Sequence, residues 1–375
     1  MANEQLESIY NLMLGCDPEL FLERKGKIIG AEKVIPPNGL KAAKYSDYGD
    51  ITGNNMHAFV LDGVQVELNP TPHRCRANLG NEMRAAFQAL KAHLEKIGND
   101  VKPSFKAVIL VPKAEFDSLS DKSKALGCEP SFNKYDKGAT VSVKNPDTYR
   151  KRSAGGHIHL GLNKRSNLYK ERERLVELMD IIVGNTCVMI DRDPGAVERR
   201  KHYGRAGEYR LPNHGLEYRT LSNFWLRSYP LMSMVMGLSK IAVSVLNDTV
   251  KSEPDYVMSG EYGSPWNAEG ELLKCVDVKA VREAINGNDL KLAKENFEGV
   301  QKFIRKHIHF GNGLNKSLLT NFNHFLDKIE KKGIEYWFSE DPMKHWCNMP
   351  DGHNHGWESF LHNKVNSDRL KAAKG

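Results

Sequence analysis

The sequence predicts a mixed α+β protein built mainly on antiparallel strands, and three observations carry that expectation. Short segments of alternating polarity, bounded by Gly and Pro, fill residues 1–228. Two long helical stretches interrupt them instead of following each strand in turn, so the βαβ alternation of a parallel sheet is missing. Residues 229–338 then show mainly helical periodicity, with few turn signals until the stretch around Gly260–Gly270.

In chain order, GCDPELFL (15–22) reads as the first strand. AFVLDGVQVEL (58–68) reads as a hairpin, because Asp62-Gly63 suits a two-residue turn needing positive φ and both flanks favour extended backbone. Residues 76–97 have helical spacing and stop at Gly98. SFKAVILVP (104–112) and GGHIHLGL (155–162) read as strands, residues 167–191 as a second long helix containing Gly184, and GEYRL (207–211) and GLEYRTL (215–221) as the last two strands. The chain is expected to divide into a catalytic core over 1–228 and a mainly helical part over 229–375 packed on it.

Composition narrows the class. With 40 % hydrophobic and 27 % charged residues, the 375-residue chain can fill a core and cover it with charge, which excludes disorder and disulfide miniproteins. The N-terminal MANEQLESIY is acidic where an export signal is basic. The apolar stretch Leu231–Leu246 carries Ser233, Ser239, Lys240 and Ser244 and falls short of the roughly 20 residues that span a bilayer, so it reads as a buried helix. Cysteines 16, 75, 128, 187, 275 and 347 form no CxxC pair, which argues for reduced thiols in the cytoplasm. No GxGxxG or GxxxxGK[ST] fingerprint occurs, so a Rossmann or P-loop nucleotide site has no support.

Alternate residues of a strand face opposite ways, which sorts the chemistry. Asp17 and Glu19 share one face of the first strand; Gln65, Glu67 and Asn69 share a face, as do His157 and His159, and Glu217 and Arg219. The opposite faces are mostly apolar. A single such strand is most simply the wet side of an ordinary sheet, but four carrying Glu and His beside Gly and Pro point to a common site. Carboxylates gathered on one surface repel one another until cations neutralise them, and oxygen donors with an imidazole or two suit Mg²⁺ or Mn²⁺.

From Arg192 to Arg210 six basic residues (Arg192, Arg199, Arg200, Lys201, Arg205, Arg210) face three acidic ones (Asp193, Glu198, Glu208). Arginine prevails, as expected where a planar fork grips phosphate or carboxylate oxygens, although a basic loop held by local ion pairs would look the same. Metal-binding carboxylates beside such arginines are what phosphoryl transfer requires. Tyr203 suits either nucleotide stacking or packing, HNHGWESF (353–360) a surface loop, and the Met-rich Leu231–Leu238 a core.

GCDPE, DGVQVELNP, AGGHIHLG and RRKHYGRAGEYRLPNHGLEYRTLSNFW, all between residues 15 and 225, together resemble the phage phiEco32-like COOH.NH2 ligase type 2 family of amidoligases. The resemblance implies a glutamine synthetase-like fold, with a curved, mainly antiparallel sheet, a polar catalytic face and helices on the other face. It implies an ATP-dependent ligase joining a carboxylate to an amine through an acyl phosphate, with ATP and Mg²⁺ (or Mn²⁺) as cofactors. Glu19, Glu67, His157 and Glu217 would then bind metal, and His159 would approach the ATP phosphates. Arg219 would hold the substrate carboxylate or acyl phosphate, and Arg199, Arg200, Arg205 and Arg210 would clamp phosphates. Asp17, Asn69 or Glu208 would supply further metal positions. The acid and the amine are not named by the resemblance, a homo-oligomer is compatible with it, and the host-cell cytoplasm is the expected location of a phage-encoded enzyme. Two other readings are a metal-dependent amide hydrolase on the same His/Glu face, and a non-catalytic phage structural or nucleic-acid-binding protein, which a net charge of +7 would suit. Nucleic acid is the less favoured partner.

Overall fold

The computed structural model describes residues 12–39, 59–98, 100–125, 131–137, 148–162, 164, 166–251, 267–310 and 341–348. The expected C-terminal surface loop and Cys128 lie outside them, and the five described cysteines form no disulfide with one another. The described strands are β1 (Met13–Cys16), β2 (Glu19–Arg24), β3 (Lys27–Ile29), β4 (Phe59–Asp62), β5 (Gln65–Leu68), β6 (Val101–Ser104), β7 (Val108–Leu110), β8 (Phe132–Asn133), β9 (Lys151–Ser153), β10 (Ile158–Gly161), β11 (Glu208–Arg210) and β12 (Gly215–Tyr218). They form one sheet in the order β1-β10-β12-β11-β8, a second in the order β3-β2-β5-β4 with β6 also on β2, and the pair β7-β9. Every described pairing is antiparallel, as the sequence predicts.

Two segments expected as single strands are each split between sheets. GCDPELFL breaks at Asp17-Pro18, where proline offers no N–H to a ladder; β1 pairs with β10, while β2 pairs with β3, β5 and β6. In 104–112 the Ala107 N–H donates to the Asp193 carboxylate (3.0 Å) instead of to a neighbouring strand, so β6 and β7 part there. The hairpin forms, with its turn one residue later than the Asp-Gly pair suggests. Gly63, at φ 56°, takes the first turn position and Asp62 stays on β4 opposite Gln65, as in a type II′ turn.

The helix Arg76–Ile97 forms and ends at Gly98. The second long helix is segmented into Asn167–Lys170 and Arg172–Met179, a π-helical turn over Asp180–Gly184, and Asn185–Val188. Packing explains its glycine: a Cβ on Gly184 would lie 2.5 Å from the Tyr218 hydroxyl, which donates to Asp180 Oδ1 at 2.7 Å. Gly184→Ala is therefore expected to cost about 1–3 kcal/mol by overpacking, read as a lower urea midpoint at unchanged slope; an unchanged midpoint would show that Tyr218 moves aside freely.

Helices Tyr229–Lys251, Ala268–Leu273, Val278–Gly287, Leu290–Phe310 and Pro342–Cys347 follow. The first is longer than the apolar stretch measured from the sequence, and its 22 residues Tyr229–Val250 would suffice in length and composition to cross a membrane; 78 % of its apolar window is buried inside the protein. Leu231, Met232, Val235 and Leu238 share one core with Leu178 and Ile182 of the segmented helix and with Leu14, Ile158, Leu160, Leu216 and Tyr218 of the first sheet. The apolar side of that sheet is thus core, which leaves its polar side to the site.

Candidate metal centre

Register assembles the site. Gly15, His159, Glu217 and Arg210 stand side by side across β1, β10, β12 and β11, and in the second sheet Glu19 of β2 stands opposite Glu67 of β5. Like charges directly opposite on neighbouring strands are unfavourable, so the Glu19–Glu67 pair marks a place where stability is set against something else.

The donors fall into two groups. Asp17, His159 and Glu217 each offer one ligand atom, all within 4.8 Å of one another; Glu19, Asp62 and Glu67 do the same. In the first group Asp17 Oδ1 lies 3.1 Å from His159 Nε2 and 3.2 Å from His157 Nδ1, and His157 Nδ1 lies 3.3 Å from Glu217 Oε1. Asp17 Oδ1, His157 Nδ1 and His159 Nε2 are buried, and none is aligned as a hydrogen bond. Atoms that crowd together without pointing at one another fit a set converging on a shared cation. His159 Nδ1 is held at 2.7 Å by His214 Nε2, with the rings stacked at 4.9 Å. In the second group Glu19 Oε2 accepts from the Gly155 N–H (2.6 Å) and from Gln65 Nε2 (2.9 Å), while Gln65 Oε1 is buried without a hydrogen bond.

Charge follows position. Burial, then the neighbouring Asp62 carboxyl, pushes Glu19 up to about 8. Burial with the Asp17, Glu19 and Asp62 carboxyls takes Glu67 to about 9, and burial with Asp17 also raises Asp62. Asp17 goes the other way: burial would raise it, but the His159 and His157 imidazoles hold it below the ordinary carboxylate range. Burial opposes ionisation of Glu217 too, and His157 and Arg210 overcome it. Burial lowers His157, whereas for His159 the Asp17 carboxylate outweighs burial and raises it. The Glu19/Asp62/Glu67 group, which keeps protons for lack of positive charge, and the ionised Asp17 and Glu217 beside His159 both offer donors that suit a divalent cation such as Mg²⁺ or Mn²⁺.

The remaining residues singled out in the sequence are placed as follows. Arg210 grips Glu217 through two bonds (2.7 and 3.0 Å), and Arg219 Nε lies 3.1 Å from the same carboxylate while its Nη1 donates to Ser131 Oγ (2.6 Å). Arg199 donates to the Thr220 and Arg219 carbonyls (2.8 and 3.2 Å), and Arg200 to Asn288 Oδ1 (2.6 Å); both are buried in the protein's own framework. Arg205 sits at the surface, 4.0 Å from Asp136. Tyr203 places its hydroxyl 2.5 Å from His157 Nε2. Asn69 bonds the Glu67 carboxyl, and Glu208 accepts from the Gly204 N–H (2.9 Å). Geometry puts His159 in the three-atom group, with His157 against the same two carboxylates. Sequence reasoning missed Asp62, taken as a turn residue, and His214, whose only signal is its place in the short loop before GLEYR.

The mixed α/β fold and this acidic, histidine-containing centre with two arginines on one carboxylate define a candidate phosphate- or carboxylate-handling metal site. The sequence profile of the family described as Phage phiEco32-like COOH.NH2 ligase-type 2 matches residues 144–260, a carboxylate–amine ligase family. That stretch contains His157, His159, Arg210, Glu217 and Arg219. Asp17, Glu19, Asp62 and Glu67 lie outside it; Glu19 stands opposite Glu67 across β2 and β5 and is tied to the matched segment by its hydrogen bonds with Gly155. No curated protein matches the chain.

Proposed function

We propose that the protein is an ATP-dependent carboxylate–amine ligase, its core over 1–228, acting through an acyl phosphate. The observation that carries this reading is the meeting of two three-donor groups, Asp17/His159/Glu217 and Glu19/Asp62/Glu67, beside Arg210 and Arg219, with the first group and both arginines contributed largely by the segment that matches the ligase family. A free carboxylate is a poor electrophile. Its oxygen would attack the γ-phosphorus of ATP with loss of ADP, and the amine nitrogen would then attack the activated carbonyl carbon, expelling phosphate and giving up a proton to solvent. Divalent cations held by the two groups would supply the positive charge that polyphosphate chemistry needs. Arg210, partly exposed beside Glu217, would offer its fork to a substrate carboxylate or phosphate, with the buried Arg219 adding positive charge behind it.

The test is ADP and phosphate release with Mg²⁺ in the presence of hydroxylamine, which traps an acyl phosphate as a hydroxamate, while candidate acids are varied. Carboxylate-dependent ADP release with hydroxamate formation is the expected result. Amide cleavage that needs metal and no nucleotide would replace this reading with a hydrolase.

A further inference from the structure

We propose that Tyr203 is a positioning residue of the metal centre: its hydroxyl fixes the His157 imidazole against Asp17 and Glu217, and its ring backs Arg219. This rests on the ligase reading only in taking the centre to hold a divalent cation. From the sequence, Tyr203 is divided between nucleotide stacking and packing. In the structure its hydroxyl lies 2.5 Å from His157 Nε2, with the two rings edge to face at 5.6 Å and 84°. A phenol can donate to a bare ring nitrogen or accept from a protonated one, so the contact orients the imidazole whichever nitrogen carries the proton. With Nε2 on the phenol, the ring is held so that Nδ1 lies 3.2 Å from Asp17 Oδ1 and 3.3 Å from Glu217 Oε1, two of the three donors of the first group.

The ring is also occupied. The Arg199 and Arg219 guanidinium carbons lie 4.7 and 4.8 Å from its centroid, an attraction between cation and π face that leaves it poorly suited to receive an adenine. The buried arginine explains why the ring stands where it does. Arg199 is pinned by the Thr220 and Arg219 carbonyls, its own carbonyl accepts from the Tyr203 N–H at 2.8 Å, and the next N–H, of Gly204, is held by the Glu208 carboxylate at 2.9 Å. Gly204 has φ +76°, and a Cβ there would fall within 1.7 Å of Arg199 Nη1, so only glycine closes the turn around that guanidinium. Arg199, Tyr203, Gly204 and Glu208 thus form one braced turn that ends on His157.

The experiment is titration of the full chain with Mn²⁺ alone, following free Mn²⁺ by electron paramagnetic resonance, for the wild type and Tyr203→Phe. ATP affinity in metal-free buffer and thermal unfolding in EDTA are measured alongside. Tyr203→Phe is expected to weaken Mn²⁺ binding about tenfold to a hundredfold, the usual effect of removing a group that orients a metal ligand, with unfolding within about 2 °C of wild type and ATP affinity unchanged. Mn²⁺ affinity equal in the two proteins overturns the inference alone, and a selective loss of ATP affinity returns Tyr203 to nucleotide stacking. A wild type that binds no Mn²⁺ overturns the inference and the ligase reading together. A second readout is direct: with the histidine rings labelled with ¹⁵N, Tyr203→Phe should shift the His157 Nε2 resonance, and an unmoved resonance would overturn the brace.

Discussion

Glu67→Gln should lower ligase turnover by about a thousandfold and yet make the metal-free protein more stable at alkaline pH. The loss follows from removing one charged donor of three in the Glu19/Asp62/Glu67 group while keeping the side chain's volume. The gain follows from linkage. Burial and three neighbouring carboxyls raise the Glu67 pKa to about 9 from an ordinary value of 4.5. Between those values the folded state keeps a proton that the unfolded chain has released, so stability falls as pH rises across that window. Glutamine has no proton to lose and relieves the repulsion on Glu19. The comparison belongs at pH 7 and pH 9 in EDTA, above the range where histidine titration dominates. The wild type should lose more Tm between the two than the variant does, by about 2 °C or more, and Mg²⁺ should restore wild type more at pH 9 than at pH 7. Turnover within about tenfold of wild type, or a variant less stable than wild type at pH 9 in EDTA, would remove Glu67 from the site.

Glu217→Gln should be as damaging to turnover but opposite in stability. Glu217 is fully buried, gripped by Arg210 and approached by Arg219 and His157. Burial disfavours its charge, but His157 and Arg210 lower its pKa, so its stabilising contribution is complete above the unfolded value of 4.5 and is lost as pH falls through the lower folded value. A neutral amide would leave two guanidiniums without that counter-charge, and breaking such a buried pair costs about 3–5 kcal/mol. Urea unfolding at pH 7 measures it. A midpoint equal to wild type would show that the two arginines find their charge elsewhere, and Glu217 would lose its place as their shared counter-charge.

The contrast between these two glutamates was not legible in the sequence, where both stand on polar faces of strands. What the sequence determined by itself is local. Two-residue alternation put His157 with His159 and Glu217 with Arg219, the Asp-Gly pair announced a hairpin, and the spacing of 76–97 announced a helix, because those signals depend on side chains a few positions apart. What only the tertiary structure decided is partnership. Glu19 meets Glu67 through the register of β2 on β5, Asp62 joins them because the turn begins at Gly63, and Pro18 sends one expected strand into two sheets. The arginines divide the same way: their forks suggested phosphate, but folding directed Arg199 to backbone carbonyls and Arg200 to Asn288, while Arg210 and Arg219 reached Glu217. Periodicity assigns a side chain to a face, whereas its charge state and its partner depend on which distant strand lies beside it and how much water that contact removes.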